Sequence, residues 1–564
     1  MEIKVPDLSV VVLIGASGSG KSTFAARHFE PTEVLSSDRM RAWVDDDENS
    51  MEATTDAFDA LHHLTALRLK RGKLTVIDAT NVRREDRAPL VALARKQHAI
   101  PVAIVFKVDE RVCQERNDQR PDRQMGRHVV RNHTIALRRA LKTLEHEGFR
   151  HIYVLEGSEE IETTTIAREP LWCRTHFNDS GPFDIIGDVH GCADELRGLL
   201  AQLGYFPDEQ DVYRHPAGRK AIFLGDLVDR GPRSVEVVRI VRAMCLAGAA
   251  HCLPGNHDMR LMRKLRGKDV ALTHGLADSM DQIDALPLEE REAFVRDYTE
   301  FVDELVSHLV LDGGKLVVAH AGMKEELQGR GSAAVRDFAL YGETTGETDE
   351  FGLPVRMNWA ADYRGKATVV YGHVAVPEAE WLNNTIDIDT GCVFGGALTA
   401  LRWPERQLVQ VQAGAQYSIP IKPLTGSDSA RSAPESGLSL QHGSDDLLDI
   451  ADVTGKRLVA TRLGGKITIR AEHSAAALEV MSRFAVDPRW LIYLPPTMSP
   501  CETSRLPEFL EHPAEAFAYY REQGVPRVVC QEKHMGSRAV LMICKDADAA
   551  RRRFGVDDGA IGEC

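Results

Sequence analysis

The sequence has no run of about 18 apolar residues, the length a helix needs to cross a membrane, so it offers no candidate membrane span. Its first apolar stretch, Val10–Ile14, is too short for a secretion leader and runs straight into a glycine-rich loop. Cysteine is sparse: ten in 564 residues, none spaced as CxxC. That excludes a disulfide framework and a zinc ribbon, and reads as reduced thiols in a cytoplasmic protein. A basic excess is also absent. With 69 Lys and Arg against 84 Asp and Glu, the net charge of −15 argues against a general polyanion-binding surface, and any nucleic-acid contact must come from local basic tracts. What remains is ordinary globular material, 43% hydrophobic and 27% charged, long enough for about three to four domains.

The most informative stretch lies near the middle. Phe183–Gly191, FDIIGDVHG, is an apolar strand ending in Asp188 and His190. Side chains two apart on a strand face one side, and at a strand end they can converge on one cation. Further apolar strands end in the same way. Ala221–Pro232 offers Asp226, Asp229 and Arg230, and His251–Asp258 offers Asn256 and His257. Leu316–Gly322 offers His320, and Val369–His373 offers His373. Any one of these imidazoles could be a satisfied core residue; five segments in order argue against that as the common explanation. Mixed oxygen and nitrogen donors suit two divalent cations such as Mn²⁺, with Asp226 as the simplest bridge. Two cations roughly 3.5–4 Å apart can activate a water and stabilise in-line displacement at a phosphate ester.

Near the N-terminus, Gly15–Ser22 reads GASGSGKS and fits G-x-x-x-x-G-K-[ST] between a buried strand and a helix. In that setting Gly15, Gly18 and Gly20 let backbone N–H groups cradle nucleotide phosphates. Lys21 reaches the β and γ oxygens, and Ser22, followed by Thr23, takes the Mg²⁺ of bound ATP. Glu33–Arg41 reads as a second strand ending in Asp38, with Arg41 one turn on. A carboxylate there can accept a proton from an attacking hydroxyl, or serve as a helix cap. Leu74–Asn81 delivers Asp78 toward the Mg²⁺, and Ala57–Leu69 has helical periodicity. Glu115–Arg131 carries Arg116, Arg120, Arg123, Arg127 and Arg131 on a helical stretch, either a solvated face or a set of cations folding over the phosphates.

Residues 425–446 are rich in Ser, Gly, Asp and Pro and read as a flexible linker. Beyond it, Lys456–Ala471 alternates as strands around a Gly464-Gly465 turn, and Ala475–Phe484 reads as an amphipathic helix. Val528–Leu541 sets Lys533 in EKHMGSR between two apolar strands. A Lys with a lowered pKa can attack the α-phosphate of ATP.

These motifs carry three resemblances. DxHG, GDxxDRG, GNHD, H and GH together resemble the calcineurin-like metallophosphoesterases. That likeness implies metal one on Asp188, His190 and Asp226, with Asp389 of Ile386–Gly396 nearby. It implies metal two on Asp226, Asn256, His320 and His373, with His257 as general acid and Arg230 as phosphate clamp. The P-loop with SSDxxR and ERNxxR resembles the polynucleotide 5′-kinases and implies Lys21, Ser22, Asp38, Arg41, Arg116 and Arg120 as active-site residues, Asp38 being the general base. EKxxGSR resembles motif I of the covalent nucleotidyltransferases.

The three in this order resemble the bacterial polynucleotide kinase-phosphatases, end-healing enzymes of an RNA repair system. The expected fold is α/β and multidomain. A P-loop kinase with a parallel sheet spans 1–168, a metallophosphoesterase α/β sandwich 175–412, and an incomplete ligase-like α+β adenylyltransferase domain 447–564. The resemblance implies ATP-dependent phosphorylation of 5′-OH ends and removal of 2′,3′-cyclic phosphate or 3′-phosphate. It implies RNA 5′ and 3′ ends as partners, together with an RNA 2′-O-methyltransferase, in a homodimer or heterotetramer. Only residues 534–564 follow Lys533, and they lack the later carboxylate and lysine motifs, so no AMP adduct on Lys533 is expected. A protein phosphatase or dinucleoside-polyphosphate hydrolase with an appended kinase shares the same metal motifs, and a non-catalytic scaffold has no need of them.

Overall fold

The structure is a computed structural model that describes residues 1–119, 125–421, 439–445, 454–461, 465–484, 502–532, 539–554, 556 and 558–563. The chain forms two compact units, Met1–Ala430 and Arg431–Cys564. Among the described residues no helix is long and apolar enough to cross a membrane.

The first unit holds two sheet systems. Its N-terminal sheet has five parallel strands in the order Val34–Ser36, Thr75–Asp78, Ser9–Gly15, Ile100–Lys107 and His151–Glu156. The central strand Ser9–Gly15 is buried at every position, as a parallel strand covered on both faces must be. Helices Lys21–His28, Thr54–Lys70 and Arg84–Lys96 provide part of that cover. Strand Glu2–Pro6 pairs in parallel with Thr165–Glu169 and closes this part of the chain on itself.

The second system is a sandwich of two five-stranded sheets. One runs Ala250–Cys252, Lys220–Phe223, Phe183–Ile186, Ala397–Trp403, Gln407–Gln412. The other runs His308–Leu311, Leu316–Ala319, Thr368–Tyr371, Thr385–Asp387, Trp381–Leu382. Alternation along the strands builds the layers. Phe183, Ile185, Ile222 and Leu401 meet Leu316, Val318, Val370 and Ile386 between the sheets. Ile186 and Phe223 face the opposite way, under the helices Ala193–Leu203 and Ser234–Leu246. Because strands Phe183–Ile186, Lys220–Phe223 and Ala250–Cys252 are parallel, their C-terminal ends share one edge, and the loops that follow meet there.

The inserted segment 265–308 contains helices Leu276–Asp284 and Leu288–Glu304. In the second unit, strands Arg457–Thr461 and Gly465–Ile469 form the expected antiparallel pair, and a helix spans Ala471–Phe484. Most of the 425–446 linker lies outside the described residues, although Leu440–Asp445 is helical. One expectation is corrected. The described residues 525–532 form no strand, and their side chains are exposed with no sheet to join. The strand on the far side is the short Met542–Ile543, paired with Gly562–Glu563.

Candidate metal centre and nucleotide site

The sandwich edge gathers the expected ligands from far along the chain. His320 Nε2 lies 3.1 Å from Asn256 Oδ1, 3.0 Å from His373 Nδ1 and 3.5 Å from Asp226 Oδ2. His190 Nε2 lies 3.7 Å from the same Asp226 oxygen. Asp226 therefore belongs to two donor groups, one with His190 and His257 and one with His320 and His373. Asp188 Oδ2 accepts from the His373 backbone N–H, and Asp389 approaches Asp188 beside Gly372. The backbone is shaped for this convergence. His190, Asp226, Asp229, Arg230 and His373 all have positive φ, a conformation non-glycine residues hold only where the surroundings enforce it. Two motif glycines are explained by close approach: a Cβ on Gly255 would stand 2.0 Å from Asp226 Oδ1, and one on Gly372 2.6 Å from Asp188 Oδ1.

The donor set fits two divalent cations. His190 Nδ1 donates to Val228 O and His320 Nδ1 to Leu224 O, at 2.8 and 3.1 Å. Each leaves an Nε2 lone pair facing the site, the arrangement that orients metal-binding imidazoles. Asp188 Oδ1 and His373 Nε2 are buried without a hydrogen-bond partner. Burial, then the neighbouring Asp389 and Asp226, pushes the Asp188 carboxyl well above its usual range. Asp226 is raised by burial and by Asp258, and burial lifts Asp389 to about 6. Burial holds His190 and His373 well below the ordinary imidazole value and brings His320 to about 3. Crowded carboxylates that resist ionising and imidazoles that resist protonation are groups in want of positive charge from elsewhere.

Around the donors stand the groups that would handle a phosphate ester. Arg230 donates to His190 Nε2 at 2.8 Å and lies over the Phe394 ring. His257 Nδ1 meets Asp229 Oδ2 at 2.7 Å. Asp229 in turn accepts from Ser279 Oγ at 2.8 Å, and its backbone N–H donates to the same hydroxyl. Sequence reasoning missed Ser279 because it lies in the helical insert, with no pattern tying it to a motif 50 residues earlier. The insert is thus a buttress: Gln282 binds Gly231 O and the Ser234 N–H, and the Tyr298 hydroxyl binds Asp258 O. Arg356 was also missed. Its charge disfavours protonation of both His320 and His373.

The nucleotide site follows the P-loop reading. Gly18 and Gly20 have φ of 80° and 93°, and a Cβ on Gly18 would stand 2.3 Å from Cys113 O. Lys21 is buried and donates to Gly15 O and Ala16 O, each at 2.9 Å. Ser22 and Thr23 are exposed in the first turn of helix Lys21–His28. The second strand stops at Ser36, so Asp38, expected at a strand end, sits instead in the first turn of helix Ser37–Asp45, ion-paired with the buried Arg41, whose Nε is fixed by Glu48 O. Ser36 and Leu13 are both in register with Asp78, so these strand ends are neighbours. Arg116 stands by Gly20 and bonds Ser158. The arginine-rich stretch is two helices, Glu110–Asp118 and Arg127–Ala140. Arg120 and Lys533 lie outside the described residues.

Sequence comparison agrees with this geometry. Residues 181–377 match the calcineurin-like phosphoesterase family, residues 10–145 an AAA domain, and residues 476–564 the PNKP adenylyltransferase domain, ligase domain. Among curated relatives, the bis(5′-nucleosyl)-tetraphosphatase PrpE (asymmetrical) of Geobacillus thermodenitrificans (strain NG80-2) is 47% identical over 239 residues, 42% of this chain and 97% of the relative. The PrpE of Bacillus subtilis (strain 168) is 43% identical over 235 residues, 42% of this chain and 96% of that protein. The chain belongs to the calcineurin-like phosphoesterases. Its three domains, in this order, have the architecture of a polynucleotide kinase-phosphatase, an enzyme with kinase and metallophosphoesterase activities.

Proposed function

We propose that the protein heals broken RNA ends, phosphorylating a 5′-OH from ATP with Mg²⁺ and removing a 2′,3′-cyclic phosphate or 3′-phosphate with two divalent cations, Mn²⁺ foremost. The observation that carries this reading is the succession of a kinase-like, a phosphoesterase and a PNKP ligase-like domain in one polypeptide. In the kinase pocket, Asp38 takes the proton of the attacking 5′-hydroxyl and Arg41 orients its carboxylate. Lys21, with Arg116 and Arg120, would neutralise charge on the transferring phosphoryl group, and Ser22 and Thr23 would hold the Mg²⁺.

In the phosphatase pocket Asp188, His190, Asp226, Asn256, His320, His373 and Asp389 hold the cations. Once bound, these supply positive charge that lowers the pKa of a water and stabilises the in-line transition state. Arg230 clamps the phosphate oxygens. His257, whose Nδ1 is held by Asp229, is the residue that would protonate the leaving oxygen from Nε2, taking that proton from the attacking water. An RNA 2′-O-methyltransferase is the proposed sealing partner, within a homodimer or heterotetramer in the cytoplasm.

A second reading is dinucleoside-tetraphosphate hydrolysis, favoured by the activity that the names of the PrpE relatives print. One experiment separates the two. The full chain is given ATP, Mg²⁺ and Mn²⁺ with an RNA bearing a 5′-OH and a 2′,3′-cyclic phosphate, and in parallel a dinucleoside tetraphosphate. End healing is expected to transfer the γ-phosphate to the 5′ end and clear the 3′ end. Cleavage of the tetraphosphate with both RNA ends unchanged would establish the hydrolase instead.

A further inference from the structure

A further group of side chains that could hold a metal ion shares no residue with either pocket. His176 and Asp179 stand on the connector between the two sheet systems, and His251 is the middle residue of the edge strand Ala250–Cys252. One donor atom from each lies within 4.8 Å of the others. The His176 and His251 rings are 4.3 Å apart and tilted at 45°, so they do not stack flat. His251 Nε2 is buried without a hydrogen-bond partner, a ring nitrogen that a cation could use. Asp179 is engaged but not exhausted. Its Oδ1 accepts from the Gly181 N–H at 3.1 Å and its Oδ2 from Lys220 Nζ at 2.8 Å, and each carboxylate oxygen has a second lone pair. A cavity of about 370 Å³ lined by His176 and Asp179 opens beside the group and gives an ion a way in.

We propose that His176, Asp179 and His251 form a mononuclear Zn²⁺ site that fastens the connector to the phosphoesterase sheet. Two imidazoles and a carboxylate are a donor set that zinc takes with a water as fourth ligand. A tetrahedral site with bonds of about 2.0–2.1 Å has ligand atoms roughly 3.4 Å apart, so the three side chains close by about an ångström on binding. The backbone here is already anchored: Asp312 N–H donates to Asp179 O and Gly313 N–H to Phe177 O, both at 2.8 Å. Burial, with His176 and Lys220 close by, lowers the His251 imidazole to about 4, so at neutral pH it is the neutral form a metal requires. On the other side Arg174 reaches Asp7 at 3.6 Å. The ion therefore steadies the stretch that ties the kinase strand system to the sandwich.

The test is a zinc count on the full chain. Protein stripped with chelator, loaded with Zn²⁺ and freed of excess metal is analysed by elemental mass spectrometry, beside the His176→Gln and His251→Gln variants. Each variant is expected to hold one Zn²⁺ fewer than the unsubstituted protein while keeping its phosphatase rate. Equal zinc in all three would overturn the site. A second measurement needs no variant: anomalous scattering at the zinc edge from Zn²⁺-soaked crystals should give a peak between His176 and His251, and its absence there would overturn the site equally.

Discussion

His257, Asp229 and Ser279 form a chain in which each residue fixes the next, and the last link comes from the helical insert. Ser279→Ala should therefore lower phosphatase kcat by about tenfold, the scale of losing a group that orients another, with KM and kinase rate unchanged. A loss of metal affinity instead would assign Ser279 to the donor cluster. At the proposed metal ligands the effect is larger: His190→Ala should abolish phosphatase and spare kinase. Asp38→Ala should cost kinase about 10²–10⁴-fold and spare phosphatase, both read in one double-labelled RNA assay. Joint loss would mean that the two pockets are not independent. The side chains that converge on the sandwich edge were legible in the sequence because each follows an apolar strand near a motif glycine, and Gly255 and Gly372 show why: nothing larger fits against Asp226 and Asp188. Ser279 was not legible, since contact with Asp229 across 50 residues leaves no local spacing to read.

Among the elements, the pairing of helix Arg84–Lys96 with the turn at Glu147 shows how an ion pair can carry a fold. Arg87 donates from Nε and Nη2 to both Glu147 oxygens at 2.8 and 2.6 Å, and the two side chains are 1% and 5% exposed. Burial pushes the Glu147 carboxyl up, but the bonds from Arg87 and Thr143 outweigh it, and the value lies below the usual one. Its contribution is thus full above the unfolded carboxylate value of about 4.3, and it is lost as the pH falls through the lower folded value. Glu147→Gln, which strands a buried guanidinium, should cost about 3–5 kcal/mol at pH 7. The gap between variant and parent in thermal unfolding should shrink as the pH falls below the carboxylate range; a gap constant with pH would refute the pairing argument. The parallel order of the kinase strands could be read from alternating strand and helix patterns. Helix Thr54–Lys70 appeared with ends within three residues of its periodicity. Val528–Leu541 misled because β-type composition alone does not make a strand where the side chains stay exposed.

Across the first unit, the two sheet systems are joined by more than the connector. Arg330, from the sandwich, donates to Leu69 O, Lys70 O and Gln97 O at 3.1, 2.6 and 2.6 Å. It caps the C-terminal ends of two kinase helices at once, where a cation is favoured. His98 Nδ1 and Ser332 Oγ meet at 2.9 Å alongside. With Arg330 in place, calorimetry should show kinase and phosphatase parts melting together; Arg330→Ala should separate them into two transitions, and a single unchanged peak would deny the coupling. No motif announced this contact, because an arginine that finishes another domain's helices looks like any surface arginine.

That guanidinium has a corollary for traffic between the pockets. With helix ends on one side gripped from the other, the two workshops share a chassis in this arrangement. On the end-healing reading proposed above, a strand treated at both termini would leave one bench before reaching the next, so throughput on doubly damaged ends should depend on how quickly a partly mended molecule is released.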